Sequence, residues 1–292
     1  MKGKIIRGVG GFYYVTADDL FTYECKARGV FRNESVKPLV GDNVEIEILS
    51  GEEKLANITK VLKRRNALIR PEVANVDQAM IIFAASEPKP NLNLLDRFLL
   101  MMRLQDVETV IVFNKKDKVT KSDLDSLYRI YEKSGNRVIF SSALFSEGIE
   151  AIMDELKGRT TVLAGPSGVG KSSIMNTVNP DAAMETGDLS RKLKRGKHTT
   201  RHSELMMVCR DTFLVDTPGF SSLYVPDIEA GHLKDYYPEF EEYEDECRFA
   251  GCLHLKEPGC RVKQAVEEGA ISRSRYDNYV YLYDELKDKR RF

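Results

Sequence analysis

The sequence predicts an α/β domain built around a phosphate-binding loop. An N-terminal all-β barrel and a C-terminal, mostly helical, metal-binding region flank it. Three observations carry this reading. The chain opens with short strand-like stretches and no helical spacing. Its middle alternates apolar runs with helix-spaced segments. Its end turns helical around a cluster of cysteines. A chain of 292 residues is long enough for two or three cores.

Residues 1–66 contain the strand-like stretches "GKIIRGVGGFYYVTA", "LFTYECKA", "DNVEIEIL" and "LANITKVL". Gly, Asp, Asn and Pro-containing turns separate them, and "VEIEIL" alternates with period two. Several short strands without a helix suggest a small closed barrel; an SH3-like barrel and an OB-fold both fit. Residues 67–225 alternate: "AMIIFAA", "VETVIVF", "RVIFSSA", "TTVLAG", "SELMMVCR" and "TFLVDTPG" read as strands. Between them "NLLDRFLLMMRLQ", "KSDLDSLYRIYEKSG", "EGIEAIMDEL" and a segment from Lys171 read as helices. Thr120 and Asp123 are spaced as a capping box. Such alternation means a mostly parallel sheet covered on both faces. Residues 226–292 close the chain, and Gly269 divides its final helical stretch into two.

No run of 18 apolar residues exists, and Met1-Lys2-Gly3-Lys4 leads directly into strand-like sequence. A cytoplasmic monomer without a membrane partner is the expectation. Five cysteines, an odd count, argue against a disulfide framework. The net charge of −1 hides segregation: residues 60–70 and 190–202 are basic with no acidic residue, whereas 239–246 holds six acidic residues and no basic one. Basic patches of this kind point to nucleic acid, with solvated surface as the plain alternative.

Gly165-Pro166-Ser167-Gly168-Val169-Gly170-Lys171-Ser172 matches G-x-x-x-x-G-K-[ST] in full, between a strand and a helix. The glycines let backbone N–H groups turn towards phosphates, and the helix N-terminus adds its positive end. Ser173 continues the cradle. Lys171 reaches the β- and γ-phosphates, and the Ser172 hydroxyl binds Mg²⁺. Asp216-Thr-Pro-Gly219 ends a strand; its Asp216 fits a Walker-B Mg²⁺ carboxylate, and the Gly219 N–H approaches the γ-phosphate.

Asn114-Lys115-Lys116-Asp117 also ends a strand and reads as a guanine-binding loop. An Asp carboxylate accepts from both N1–H and the 2-amino group of guanine, a match adenine does not offer. Asn114 ties the loop, and the Lys115 stem covers a ring face. Ser141-Ser142-Ala143 follows the next strand and fits a loop whose backbone N–H meets the 6-oxo group. Both loops lie at strand C-termini, where open α/β sheets bind ligands. The order is base loops, phosphate loop, switch segment, Mg²⁺ loop, a circular permutation of the usual order. Nearby termini make such permutation tolerable.

Within "SRKLKRGKHTTRH", Thr199 or Thr200 is the expected Mg²⁺ and γ-phosphate ligand, with Thr200 favoured. Phe220 stands where a water-orienting Gln follows the D-x-x-G glycine in Ras-like enzymes. His198 is the candidate for that task, with a plain surface His as the alternative. Cys247-x4-Cys252-x-His254-x5-Cys260 supplies three thiolates and an imidazole, a standard structural Zn²⁺ set.

In this combination the chain closely resembles the circularly permuted, small-subunit-dependent GTPases of the RsgA/YjeQ family. The resemblance rests on the motif order above, on "PLVGDNVEIE" and on the Cys/His spacing. It implies a circularly permuted α/β P-loop GTPase domain flanked by an N-terminal OB-fold and a C-terminal zinc-binding helical domain. It implies GTP hydrolysis with Mg²⁺, stimulated by the small ribosomal subunit during its late maturation, and rRNA as a partner. On that reading Arg28, Arg32, Lys37 and residues 60–70 face rRNA from one side, and Arg273, Arg275 and the terminal Lys/Arg from the other. Tyr276 and Tyr279 then stack on bases or, alternatively, pack within a helix layer.

Overall fold

The computed structural model describes residues 1–27, 37–69, 71–179, 204–216 and 228–289. Strands β1 (Lys2–Val9), β2 (Phe12–Ala17), β3 (Thr22–Ala27), β4 (Asn43–Ser50) and β5 (Leu55–Val61) close into a barrel in the order β1-β2-β3-β5-β4. Strand β3 runs parallel to β5, and the other neighbours are antiparallel. Period-two alternation sends Ile5, Val15, Tyr23, Cys25, Val44, Ile46, Ala56 and Ile58 inward as one apolar core. Register shifts between Ile5 and Arg7 and between Glu45 and Ile46 are bulges that bend strands enough to close so small a barrel. This is the five-stranded OB-like solution, which settles the barrel alternatives.

After the short pair β6 (Ala67–Leu68) and β7 (Val73–Ala74) come β8 (Gln78–Ala84), α1 (Leu92–Arg103), β9 (Glu108–Asn114), α2 (Lys121–Tyr131), β10 (Arg137–Phe140), α3 (Ile149–Leu156), β11 (Thr160–Ala164), α4 (Lys171–Val178), β12 (Leu205–Cys209) and β13 (Thr212–Asp216). The sheet order is β10-β9-β8-β11-β13-β12. Strand β10 is parallel to β9 and β11 parallel to β13, while β12 is antiparallel to β13. β8 and β11 are buried at every position, as strands covered on both faces must be. The capping box at α2 forms as its spacing predicts: Thr120 Oγ1 accepts from Asp123 N, and Asp123 accepts from Thr120 N.

The chain divides into two compact units. The first contains the barrel, β11, β12 and β13. The second contains β9, β10, the phosphate loop as far as Lys171, and the C-terminal helices. Those helices are α5 (Glu241–Glu244), α6 (Arg261–Glu267) and α7 (Arg273–Lys289). The break between α6 and α7 falls at Gly269, which takes φ +77°. Leu233, Tyr237, Phe240, Val262, Ile271, Tyr279 and Leu282 form the core there, with Leu100 of α1 packed among them.

Candidate nucleotide site and metal centre

Strand β9 is buried from Val110 to Asn114, so the chain reaches its polar end already fixed on both faces. Lys115 then turns at φ +62°. Asn114 is 2% exposed and joins three loops. Its Nδ2 donates to Val169 O of the phosphate loop at 2.9 Å. Its Oδ1 accepts from Ala143 N at 3.1 Å and from the Ser141 hydroxyl at 3.3 Å. Lys115 Nζ donates to Gly168 O at 2.7 Å, so its stem lies between base loop and phosphate loop. Asp117 is exposed at the rim and accepts from the hydroxyl of the fully buried Ser142. Lys116 N donates to Ser141 O at 3.0 Å. The two base motifs and the phosphate motif, spread over some sixty residues, therefore meet at one buried amide.

In the phosphate loop Val169 anchors the chain at 1% exposure, while Ser167 and Gly168 face outward. Gly170 has φ +98°, and a Cβ there would stand 2.2 Å from Asn114 Nδ2. Any side chain at this position would break the junction just described. Lys171 Nζ donates to Gly165 O at 2.8 Å and Pro166 O at 2.7 Å, which curls the loop around its own ammonium group. Lys171 opens α4, and Ser172 and Ser173 are exposed in its first turn. Asp216 is the last residue of β13. His198, Thr199, Thr200, Gly219 and Phe220 lie outside the described residues.

The cysteine cluster assembles as its spacing suggests. The ligand atoms of Cys247, Cys252, His254 and Cys260 all lie within 4.8 Å of one another. His254 Nδ1 is 3.6 Å from Cys247 Sγ and 3.4 Å from Cys260 Sγ, and the two sulfurs are 3.9 Å apart. A tetrahedral Zn²⁺ with ordinary bond lengths needs S···N edges of about 3.5 Å and S···S edges of about 3.8 Å. The fit is close. Burial pushes the Cys260 thiol up to about 12 and raises Cys252 as well, so these two would be neutral thiols alone and would become thiolates only with a cation bound in place of their protons. His254 is fully buried with φ +58°, and its peptide is held on every side. Glu257 accepts from Leu253 N at 2.9 Å and Leu255 N at 2.8 Å. Tyr276 OH donates to His254 O at 2.7 Å, and Tyr279 OH to Leu253 O at 2.6 Å. Nothing in the spacing of Glu257 or the tyrosines announced this support.

Two groups of expected RNA contacts change. Arg275 is 3% exposed and points inward. Its Nη1 donates to Asp96 Oδ1 at 2.6 Å and its Nε to Glu239 Oε1 at 2.7 Å. Burial pushes the Asp96 carboxyl up, and the Arg275 charge works against that. Two buried carboxylates require a buried cation, so Arg275 is a structural ion and not an RNA contact. The buried Tyr276 and Tyr279 follow the helix-packing alternative. On the barrel side, Arg64 forks onto the fully buried Asp42 and Arg65 pairs with Asp77, leaving Lys60 and Lys63 as exposed charges. Arg273 is exposed as expected, while Arg28, Arg32 and Arg70 lie outside the described residues.

The RsgA GTPase family model matches residues 61–226, more than half of the chain. The chain belongs to the RsgA GTPase family. The family's N-terminal domain model matches residues 2–55. A protein of Agathobacter rectalis named small ribosomal subunit biogenesis GTPase RsgA is 53% identical, over all of both chains. One of the same name from Alkaliphilus metalliredigens is 46% identical over all of this chain and 99% of its own. Among solved structures, YjeQ from Thermotoga maritima superposes with a TM-score of 0.81 at 36% identity, covering 98% of each chain. YloQ, described as a circularly permuted GTPase, gives 0.80 at 37% identity, covering 99% of this chain and 95% of its own. The chain is accordingly a GTP-hydrolysing enzyme with the permuted order read from its motifs. No helix among the described residues is long and apolar enough to cross a membrane.

Proposed function

We propose that this GTPase acts in late maturation of the small ribosomal subunit, through rRNA contact, with hydrolysis stimulated by the subunit itself. The junction at Asn114 is the observation that carries the nucleotide half of this reading. One buried side chain couples the guanine loops to the phosphate loop, so base identity and phosphate position are sensed by one rigid element. The full-length relatives named for small-subunit biogenesis support the other half.

In this reading Asp117 accepts from N1–H and the 2-amino group of guanine, and the Ala143 loop meets the 6-oxo group. Backbone N–H groups of Gly165 and of Ser167 to Ser173 surround the phosphates, and Lys171 exchanges its bonds to Gly165 O and Pro166 O for phosphate oxygens. Ser172, Thr200 and Asp216 would hold Mg²⁺, which offsets charge on the β- and γ-phosphates. Gly219 is assigned to the γ-phosphate and His198 to the attacking water. The Cys247, Cys252, His254 and Cys260 set would hold one Zn²⁺; with four protein ligands its role is structural. A division at about residues 66 and 225 is the domain reading, and family-model matches at 2–55 and 61–226 support it.

GTP hydrolysis should be measured for the protein alone, with small subunits and with large subunits, at low salt. Stimulation by small subunits only is expected; equal stimulation by both, or by neither, would overturn the assigned partner.

A further inference from the structure

We propose that Glu147, acting through Lys116, is a positioning residue for guanine selection. The inference rests on reading Asp117 and Ser141–Ala143 as the base-binding loops. Lys116 Nζ lies 2.9 Å from Glu147 Oε2, so the second lysine of the guanine motif directs its charge at a neighbouring loop. Glu147 is in turn bonded to the serine loop through its backbone. Ser142 N donates to Glu147 O at 2.9 Å, and Glu147 N donates to Ser142 O at 3.0 Å. Gly148 follows at φ +72°, where a Cβ would stand 2.4 Å from Phe140 O, so this re-entry into the fold requires glycine.

The result is a closed ring of contacts. Lys116 and Asp117 form one side, and Ser141 and Ser142 the other. Three fasteners join them: Lys116 N to Ser141 O, the Ser142 hydroxyl to Asp117, and the Lys116–Glu147 ion pair. The ion pair can be removed without touching Asp117 or Ser142. The two-point contact to N1–H and the 2-amino group depends on how firmly Asp117 is held against Ser142. Loosening the ring should therefore cost the 2-amino contact more than it costs binding as a whole. Lys116 and Glu147 side chains are 27% and 57% exposed, which limits the effect to about two- to five-fold and makes it salt-sensitive.

The test is Glu147→Gln in the full chain, with GDP and IDP dissociation constants measured at low and high salt and steady-state kinetics with GTP. IDP lacks the 2-amino group. The expected result is a GDP Kd raised about two- to five-fold at low salt, with a matching fall in the preference for GDP over IDP. The change should fall on KM rather than kcat and disappear at high salt. The reversed pair, Lys116→Glu with Glu147→Lys, should restore the preference. An unchanged GDP/IDP ratio overturns the proposal, as does a loss confined to kcat. Should Glu147→Gln fail to fold, Lys116→Gln breaks the same pair from the other side and must give the same fall. Asp117→Asn separates the two levels: if it leaves guanine preference intact, the base-loop reading fails whatever Glu147 does.

Discussion

The loops proposed to read the base and the C-terminal helical region use the same kinds of side chain in opposite ways. In the loops, buried Asn114, Ser141 and Ser142 hold an exposed Asp117 at the rim, and their ion pair, Lys116–Glu147, is half in water. In the C-terminal region the charged groups are inside: Arg275 and Asp96 are 3% and 1% exposed, and Glu239 is 6% exposed. A polar group at the rim is available to a ligand and contributes little to stability. A polar group in the core is unavailable, and losing its partner is expensive.

The largest effect is expected at the Cys/His cluster proposed to hold Zn²⁺. Removing Zn²⁺ with a strong chelator, or replacing Cys252 with Ala, should unfold the C-terminal helices, since structural zinc sites are worth on the order of 10 kcal/mol. Metal content and thermal melting check this, and a metal-free protein that melts unchanged would refute the assignment. Next in size is Arg275→Met, which strands Asp96 and Glu239. A loss of about 3–5 kcal/mol is expected in denaturant unfolding, against about 0–1 kcal/mol for Glu242→Gln, which breaks an exposed pair with Lys133. Similar losses for the two would remove the distinction between core and rim.

On the loop side, Gly170→Ala should weaken nucleotide binding by about 1–3 kcal/mol, because it forces a left-handed residue against Asn114. Unfolding by denaturant should move much less. Equal losses in both measurements would mean that the junction supports the fold rather than the ligand. The smallest change sharpens the role of the tyrosines. Tyr276→Phe leaves His254 O without its donor and should cost about 1–2 kcal/mol, with faster metal release and unchanged subunit binding. Weaker subunit binding at unchanged stability would instead make Tyr276 a surface reader.

Sequence alone specifies the three-part architecture, the phosphate loop, the stretches proposed as guanine loops, their permuted order and the Cys/His cluster. Each of these is written in a short stretch: a strand's apolar run followed at once by the residues it presents, or ligands within fourteen residues. It also determined the capping box and the break at Gly269, for the same reason. Tertiary structure alone decided which charges face inward. Arg275 sits in "SRSRYDNY" beside the exposed Arg273, and nothing local tells the two apart; Asp96 and Glu239, far away in the chain, do. It alone placed Glu147 against Lys116, and Tyr276 behind His254. A motif is legible because its chemistry is complete within a few residues. A support is not, because burial and partner belong to the whole packed chain and appear only when distant segments meet.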